Sequence, residues 1–189
     1  FLNFCFSSPK KPVVAIVGGS KVSSKLGVLE NLANRVDSLI VGGGIANTFL
    51  VAANKDVGKS LYEKQLVDRA RAIMDKVEVI LPSDVVVSTE ISDKSVALKK
   101  LVDDIGPDEM VLDIGISSSE RVSKILEASG TIIWNGPVGV FEIEQFSEGT
   151  KSVSAAVSES GAFSIAGGGD TLAAIEKYKI SENISYIST

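Results

Sequence analysis

Two glycine-rich segments, Gly18-Gly19-Ser20 and Gly167-Gly168-Gly169, each stand between an apolar run and a run of helix-like apolar periodicity. The apolar run predicts a strand and the periodic run predicts a helix. A strand, a glycine turn and a helix start together gather backbone N–H groups and the positive end of the helix dipole at one point. Both segments therefore predict anion-binding sites.

Lys21 and Lys25 lie four residues apart in the opening turns of the first predicted helix. A lysine near a helix N-terminus opposes the dipole by roughly 0.3–1 kcal/mol, and a like-charge pair at this spacing costs roughly 0.2–0.5 kcal/mol. A bound polyanion, most simply the phosphate chain of a nucleotide, would offset both costs. The alternative is a solvated basic helix start whose glycines serve packing only.

Three further motifs each leave two interpretations open. Asp170, beside Thr171, is either a helix N-cap, worth roughly 0.5–2 kcal/mol, or a carboxylate that faces Mg²⁺ held together with substrate phosphates. The triplet Gly42-Gly43-Gly44 is either a tight strand-to-helix turn or a surface against which a flat base lies. Glu142 is either an exposed acid or an acceptor for ribose hydroxyls.

The composition excludes several functional classes. With 189 residues and 44% hydrophobic content, the chain can bury one full core, and its length predicts one domain or at most two. A net charge of −5 without a basic cluster argues against nonspecific nucleic-acid binding. The absence of histidine excludes a histidine base or histidine metal site. A single cysteine, Cys5, excludes an internal disulfide and fits a reducing compartment.

Strand-like runs rich in Val and Ile alternate with helix-like runs along the whole chain. Several of these strands are continuously apolar, as strands covered on both faces must be. The predicted strands are 13–17, 38–41, 78–81, 110–114, 131–134, 162–166 and 185–187. The predicted helices are 22–35, 46–53, 63–76, 94–104, 118–128, 146–159 and 171–178.

Alternation with short connections predicts a parallel sheet with helices on both faces, and ligands bind such sheets outside the carboxyl ends of the strands. Five segments that follow predicted strands are expected to meet at that rim: Gly18-Gly19-Ser20, Gly42-Gly43-Gly44, Asp113-Ile114-Gly115, Asn135-Gly136-Pro137 and Gly167-Gly168-Gly169-Asp170. No apolar stretch reaches the ~18 residues of a membrane span.

Neither standard nucleotide fingerprint is present. The G-x-x-x-x-G-K-[ST] pattern is absent, and no G-x-G-x-x-G is followed by an acidic residue about twenty positions later. These absences weaken the P-loop and dinucleotide-dehydrogenase interpretations. A noncatalytic nucleotide-binding module of Rossmann-like fold remains the alternative to an enzyme. Lys21, Lys25 and Asp170 argue against it, because a structural relic needs no cations at a helix start.

Four segments in family order closely resemble the C-terminal, nucleotide-binding domain of phosphoglycerate kinase. They are 17–25, 41–46, 134–142 and 167–171, and the resemblance runs from about Lys10 to Thr189. It implies a three-layer α/β/α, Rossmann-like domain with a mostly parallel, about six-stranded sheet over 10–189, lacking the family's last segment. Residues 1–9 are expected to be a remnant of a preceding element or a linker.

The resemblance implies a glycolytic, cytoplasmic activity, namely Mg²⁺-dependent phosphoryl transfer between ATP/ADP and 3-phosphoglycerate/1,3-bisphosphoglycerate. It implies that Lys21 is the catalytic lysine that steadies the transferring phosphoryl group, and that Asp170 faces the metal. Lys25 then binds phosphate and Glu142 binds the ribose. The nucleotide-binding residues that the resemblance implies are Ser20, Lys21, Lys25, Gly43, Gly44, Gly115, Asn135, Pro137, Val138, Glu142, Gly168, Gly169, Asp170 and Thr171.

Within that set, Gly43, Gly44 and Gly115 are expected to form the adenine pocket, with Val138 as its apolar wall. The segment Ile116-Ser117-Ser118 departs from the Pro and Thr that the family usually has around the adenosine pocket. The family's N-terminal domain, with its basic patch for the acid substrate and its catalytic arginine, is missing. We therefore expect a monomer that binds MgADP and MgATP without turnover, partners the N-terminal substrate domain, and binds neither nucleic acid nor membrane.

Overall fold

The structure is a computed structural model that describes residues 7–189. Residues 1–6, with Cys5 and most of the predicted remnant 1–9, lie outside the described residues. The strands are β1 (Val13–Val17), β2 (Ser38–Val41), β3 (Glu78–Ile80), β4 (Asp84–Ser88), β5 (Leu98–Leu101), β6 (Met110–Ile114), β7 (Thr131–Asn135), β8 (Phe163–Gly167) and β9 (Tyr186–Ser188). The α-helices are α1 (Val22–Ala33), α2 (Gly43–Ala52), α3 (Val67–Met74), α4 (Ile116–Glu127), α5 (Glu148–Glu159) and α6 (Gly169–Lys177). Short 3₁₀ turns cover Lys64–Leu66, Val102–Asp104, Glu144–Phe146 and Ser181–Asn183.

Six strands form one sheet in the order β3-β2-β1-β7-β8-β9, and every pairing in it is parallel. Helices α1, α2 and α3 pack on one face of this sheet, and α4, α5 and α6 pack on the other. The predicted three-layer α/β/α fold with a six-stranded parallel sheet is confirmed. No described helix has the length and apolar character needed to cross a lipid bilayer.

The central strand β1 shows why its sequence is continuously apolar. Val13, Ala15 and Val17 belong to the core beneath α1, α2 and α3, whereas Val14 and Ile16 belong to the core beneath the other three helices. All five side chains are buried. A strand covered on both faces has no position for a polar side chain, so the period-two alternation of a half-exposed strand is absent.

A second, antiparallel sheet has the order β5-β4-β6. Its central strand β4 was not predicted. Val85 and Val87 of β4 pack in one apolar cluster with Leu50 of α2 and with Val102. The predicted strand 110–114 exists as β6, but its place in the parallel sheet is wrong because it pairs with β4. This sheet therefore lies beside the main sheet and adds a wall to its carboxyl edge.

The predicted helix 94–104 is also wrong, since this segment forms β5 and a 3₁₀ turn. Its apolar residues recur at helix-like spacing, but Leu98 and Leu101 are exposed rather than buried. Pairing with β4 decides the conformation instead, and the Lys100 ammonium lies 2.8 Å from the Glu109 carboxylate. Long-range strand pairing has overridden the local periodicity.

Asp84 joins the second sheet to the start of α4. Its carboxylate accepts hydrogen bonds from the backbone N–H of Ser117 at 3.0 Å and of Ser118 at 2.7 Å. These are N–H groups of the first helical turn, which have no partner inside the helix. The Ser118 hydroxyl in turn lies 3.0 Å from the Asp84 carbonyl oxygen. Asp84 thus caps α4 from outside the helix.

We expect Asp84→Ala to lower the free energy of unfolding by about 1–3 kcal/mol, because it leaves two N–H groups of the first turn of α4 without their acceptor. Urea denaturation is the measurement. Asp108→Ala, at an exposed turn position, is the matched control. An equal effect of the two substitutions would show that Asp84 does not support the helix.

Candidate functional site

A cleft of about 260 Å³ opens beside the carboxyl ends of β1, β2 and β7. Its walls come from the loops after these strands, from the start of α2, from β6 and from the first turn of α6. Parallel sheets bind their ligands at this edge. The lining residues are Gly19, Ser20, Gly43, Gly44, Asn47, Leu61, Ile91, Met110, Val111, Leu112, Pro137, Gly139, Val140, Glu142 and Asp170.

Six residues of the predicted site line this cleft: Ser20, Gly43, Gly44, Pro137, Glu142 and Asp170. The convergence of the loops after β1, β2, β7 and β8 agrees with the predicted rim. The roles of these residues toward a ligand stay predictions. The other eight predicted residues do not line the cleft, and the structure gives a physical reason for the position of each.

One wall consists of backbone rather than side chains. The Ile45 N–H donates to the Gly19 carbonyl at 3.1 Å, and a Cβ on Gly44 would overlap the Ser20 carbonyl oxygen. Gly43 has φ +64°, a left-handed conformation that favours glycine. The loops after β1 and β2 can therefore touch backbone to backbone, and they present a flat surface to the cleft.

The loop after β7 is fixed by hydrogen bonds to three different elements. Gly136 N–H donates to the Thr171 hydroxyl at 2.7 Å, and Val138 N–H donates to the Thr150 hydroxyl at 3.2 Å. Val140 N–H donates to the Leu112 carbonyl at 2.8 Å. Thr171 is fully buried, so its side chain braces this loop from behind rather than facing the cleft.

Val138, predicted as the apolar wall of the adenine pocket, does not line this cleft. Its side chain is buried and packs into the core with Ile40, Ile80 and Ile114, away from the cleft. Val140, two residues later, lines the cleft instead. Nothing in the sequence fixes which side chains of this loop turn toward the cleft.

Gly115 does not line the cleft either. It follows β6, which belongs to the antiparallel sheet, and it packs against Asp84, whose carboxylate a Cβ at Gly115 would overlap. Together with Ile116 it borders a separate cavity of about 440 Å³ beside α4. Three earlier residues, Met110, Val111 and Leu112 of β6, line the cleft, whereas Gly115 does not.

Lys25 reaches the carboxyl ends of β1 and β7 from within α1. Its ammonium donates to the Gly18 carbonyl at 2.6 Å and to the Asn135 carbonyl at 3.2 Å. Burial lowers the pKa of Lys25, and the negative charge of Asp170 opposes that shift. An ammonium has three N–H donors, so one remains for a ligand.

The start of α1 differs from the predicted open anion site. The Ser23 N–H donates to the Glu63 carboxylate at 2.8 Å. Hydrogen bonds from Ser23 and Val22 and the positive charge of Lys21 hold the pKa of Glu63 below its usual range. The protein thus supplies its own anion at this helix start, and the exposed Lys21 lies beside that carboxylate rather than in the cleft lining.

The start of α6 remains open. Gly168 is the N-cap with φ +95°, and no side chain caps the helix. A Cβ on Gly169 would meet no heavy atom within 4 Å. Asp170 is the second residue of α6, so its interpretation as the N-cap is wrong. Its exposed carboxylate lines the cleft next to the unpaired N–H groups of the first turn.

Asp113 turns away from the rim and is nearly inaccessible, with 2% of its surface exposed. Its carboxylate accepts hydrogen bonds from Ile114 N–H at 2.9 Å and from Gly149 N–H, in the first turn of α5, at 2.8 Å. A Cβ at Gly139 or Gly149 would overlap it. Burial raises the pKa of Asp113 to about 7, the two hydrogen bonds oppose this shift, and the charge of Glu148 adds to it.

The whole chain, residues 1–189, matches the family model of phosphoglycerate kinase. The chain belongs to the phosphoglycerate kinase family. Among solved structures it is similar to phosphoglycerate kinase from Coxiella burnetii, with 48% identity and a TM-score of 0.96, over 100% of this chain and 50% of that chain. It is also similar to phosphoglycerate kinase from Pyrococcus horikoshii OT3, with 33% identity and a TM-score of 0.86, over 100% of this chain and 49% of that chain. The chain therefore spans about half the length of these two relatives.

Several cleft residues were absent from the predicted set: Asn47, Leu61, Ile91, Met110, Val111, Gly139 and Val140. Most are apolar, so their types alone give no sign of a binding role. Met110 and Val111 could have been found only by knowing that β6 pairs with β4. Asn47 carried a usable signal, because an amide on an otherwise apolar helix needs a partner.

The raised pKa of Asp113 predicts how the stability of the fold depends on pH. Because its folded pKa of about 7 lies above its ordinary value of 3.8, the folded chain keeps a proton between these values that the unfolded chain releases. Stability then falls as pH rises through this window, by at most about 1.4 kcal/mol per pH unit. Asp113→Asn is expected to remove this slope between pH 5 and pH 7 in urea titrations. Asp108→Asn is the control, and parallel curves for wild type and Asp113→Asn would contradict the raised pKa.

Proposed function

We propose that this chain is the nucleotide-binding half of a phosphoglycerate kinase. In the reaction that its family membership suggests, the terminal phosphoryl group of ATP passes to the carboxylate of 3-phosphoglycerate, and ADP leaves. One observation carries the proposal: a backbone-walled cleft, an open helix start and the Lys25 ammonium meet at the carboxyl edge of a parallel sheet. That combination suits a flat base joined to a chain of phosphates.

The proposed roles follow from the chemistry of each wall. The backbone at Gly43 and Gly44 would lie against the base, and Glu142 would accept hydrogen bonds from the ribose hydroxyls. Lys25 and the first N–H groups of α6 would neutralise the phosphates. In phosphoryl transfer such positioning and charge neutralisation supply most of the catalysis. Lys21 is proposed to steady the transferring group, from an exposed position beside the cleft.

Asp170 is the residue that would hold Mg²⁺. Within residues 7–189 its carboxylate has no hydrogen bond or ion pair with another side chain, and no group of three or more Asp, Glu, Cys or His is arranged for a metal. Mg²⁺ in nucleotide sites usually takes one or two protein carboxylates together with phosphates and water. Asp170, beside the open start of α6, fits that pattern, whereas the other cleft carboxylate, Glu142, is proposed to bind the ribose. The bound ion would neutralise phosphate charge.

The acceptor is proposed to bind outside this chain. The family's basic patch for the glycerate has no counterpart in this sequence, so donor and acceptor cannot both be held here. Positioning the two reactants contributes roughly 7–11 kcal/mol to such reactions. The isolated chain should therefore bind nucleotide without turnover, and a noncatalytic nucleotide-binding module is the second candidate function.

The nucleotide site is tested with Lys25→Met and isothermal titration of MgADP. We expect a 10- to 100-fold weaker affinity, because a charge-assisted contact is worth roughly 1.5–3 kcal/mol. Lys76→Met, an exposed lysine remote from the cleft, is the control. Thermal denaturation checks that both variants fold. Unchanged affinity in folded Lys25→Met would remove Lys25 from the site, and binding of NAD but not MgADP would favour a dinucleotide domain.

Turnover separates the kinase half from a noncatalytic module. A coupled assay of the 189-residue chain with MgATP and 3-phosphoglycerate should show no activity. Addition of a separately made N-terminal half of a family member, with the family's last segment restored, should recover some. Rates of roughly 1–100 s⁻¹ for the chain alone would place the acceptor site within these residues. No activity with the added half, despite association of the two pieces, would support the noncatalytic module.

A further inference from the structure

A tight turn after β7 places Glu142 at the edge of the cleft. The Ile143 N–H donates to the Val140 carbonyl at 3.1 Å, so Phe141 and Glu142 are the two central residues of this turn. The Phe141 side chain is buried in the core beneath α4, α5 and α6, whereas Glu142 is exposed and lines the cleft. Within residues 7–189 the Glu142 carboxylate makes no hydrogen bond or ion pair. Its direction therefore depends on the backbone of the turn.

Lys177, in the last turn of α6, holds the central peptide of this turn. Its ammonium donates to the Phe141 carbonyl at 2.6 Å. The same ammonium lies 5.7 Å from the centre of the Phe141 ring and 5.6 Å from that of the Tyr178 ring, within reach of a cation–π interaction. The Phe141 carbonyl and the Glu142 N–H belong to one planar peptide unit. The Lys177 contact thus orients the peptide that leads into Glu142.

The direction of the central peptide is what distinguishes one tight turn from another. Turns of types I and II join the same end points, but ψ of the second residue and φ of the third differ, and the central peptide faces a different way. The first residue of this turn is fixed separately, because the Val140 N–H donates to the Leu112 carbonyl at 2.8 Å. Among the described residues, Lys177 is the donor that reaches the central carbonyl.

Helix α6 also reaches the cleft with its other end. Asp170 in its first turn lines the cleft, whereas Lys177 in its last turn does not. A second link joins the end of this helix to the segment that follows the turn, because the Tyr178 hydroxyl donates to the Ser147 carbonyl at 3.4 Å. One short helix therefore borders the cleft at its start and holds the turn that carries Glu142 at its end.

We propose that Lys177 is a positioning residue for the ribose of the bound nucleotide: it orients the peptide between Phe141 and Glu142 and so directs the Glu142 carboxylate toward the ribose hydroxyls. This inference rests on the proposed nucleotide site. Because Lys177 does not border the cleft, its effect on binding must pass through Glu142. The effect must then vanish when either the carboxylate or the ribose hydroxyls are removed.

The test compares ADP with 2′,3′-dideoxy-ADP, which lacks both ribose hydroxyls, by isothermal titration in the presence of Mg²⁺. The wild-type chain should bind ADP roughly 10-fold more tightly, because hydrogen bonds to a charged acceptor are among the stronger ones. Lys177→Met, which removes the ammonium, should lower this ratio by roughly threefold, since the hydrogen bonds to a misdirected carboxylate have poorer geometry. Its affinity for the dideoxy compound should stay unchanged. Glu142→Ala should bring the ratio close to one, and adding Lys177→Met to it should change nothing further.

Lys124→Met is the matched control, because Lys124 is an exposed lysine in the last turn of α4 that does not border the cleft. Thermal denaturation checks that every variant folds. The role of Lys177 is overturned by an unchanged ratio in folded Lys177→Met, by an equal loss of affinity for both nucleotides, or by an equal effect of Lys124→Met. Equal binding of both nucleotides by wild type overturns this inference but leaves the nucleotide site intact. Binding of neither overturns the proposed function itself.

Discussion

The close approach of three backbone segments is the constraint on which the rest of the site depends. Gly44 packs on the Ser20 carbonyl, and Gly18 packs on the Pro137 carbonyl. Gly42 packs on Val138 in the same way. None of these contacts leaves room for a Cβ. The loops after β1, β2 and β7 can therefore come together only if glycine occupies these positions, and the cleft exists because they do.

This close contact also determines where charge can be placed. With the loops pressed together, the carbonyls of Gly18 and Asn135 lie side by side and hold the Lys25 ammonium. Glu63 supplies the negative charge at the start of α1, so the helix dipole is already balanced there. At α6 no side chain caps the first N–H groups, although Asp170 places a negative charge in the first turn. The positive charge of the site thus comes from the Lys25 ammonium and the uncapped N–H groups of α6, and the Asp170 carboxylate lies beside them.

The sequence was sufficient to predict the main sheet, since strands buried on both faces are continuously apolar and alternate with helices. It was also sufficient to predict the glycine rim, because glycine types and their spacing after strands are visible directly. It was insufficient wherever a distant strand decides the outcome. The pairing of β4 with β5 and β6 made residues 98–101 of the predicted helix 94–104 a strand, and it placed Gly115 against Asp84 rather than in the cleft lining.

The side-chain directions in the loop after β7 could not be predicted from the sequence either. A hydrogen bond from Val140 to Leu112, which lies on the second sheet, turns Val140 inward and leaves Val138 in the core. The Glu63 carboxylate provides the negative charge at the start of α1 through a contact with Ser23, which is forty residues away in the sequence.

The central claim, that the glycine-walled cleft binds a nucleotide, is tested most directly by amide-resolved NMR during titration with MgADP. The largest shifts should fall on the N–H groups of Gly19, Gly43, Gly44 and Gly169, with little change at Gly115 beside the separate cavity. Shifts centred on Gly115 and Ile116, or no saturable shifts at the glycine wall, would contradict the claim.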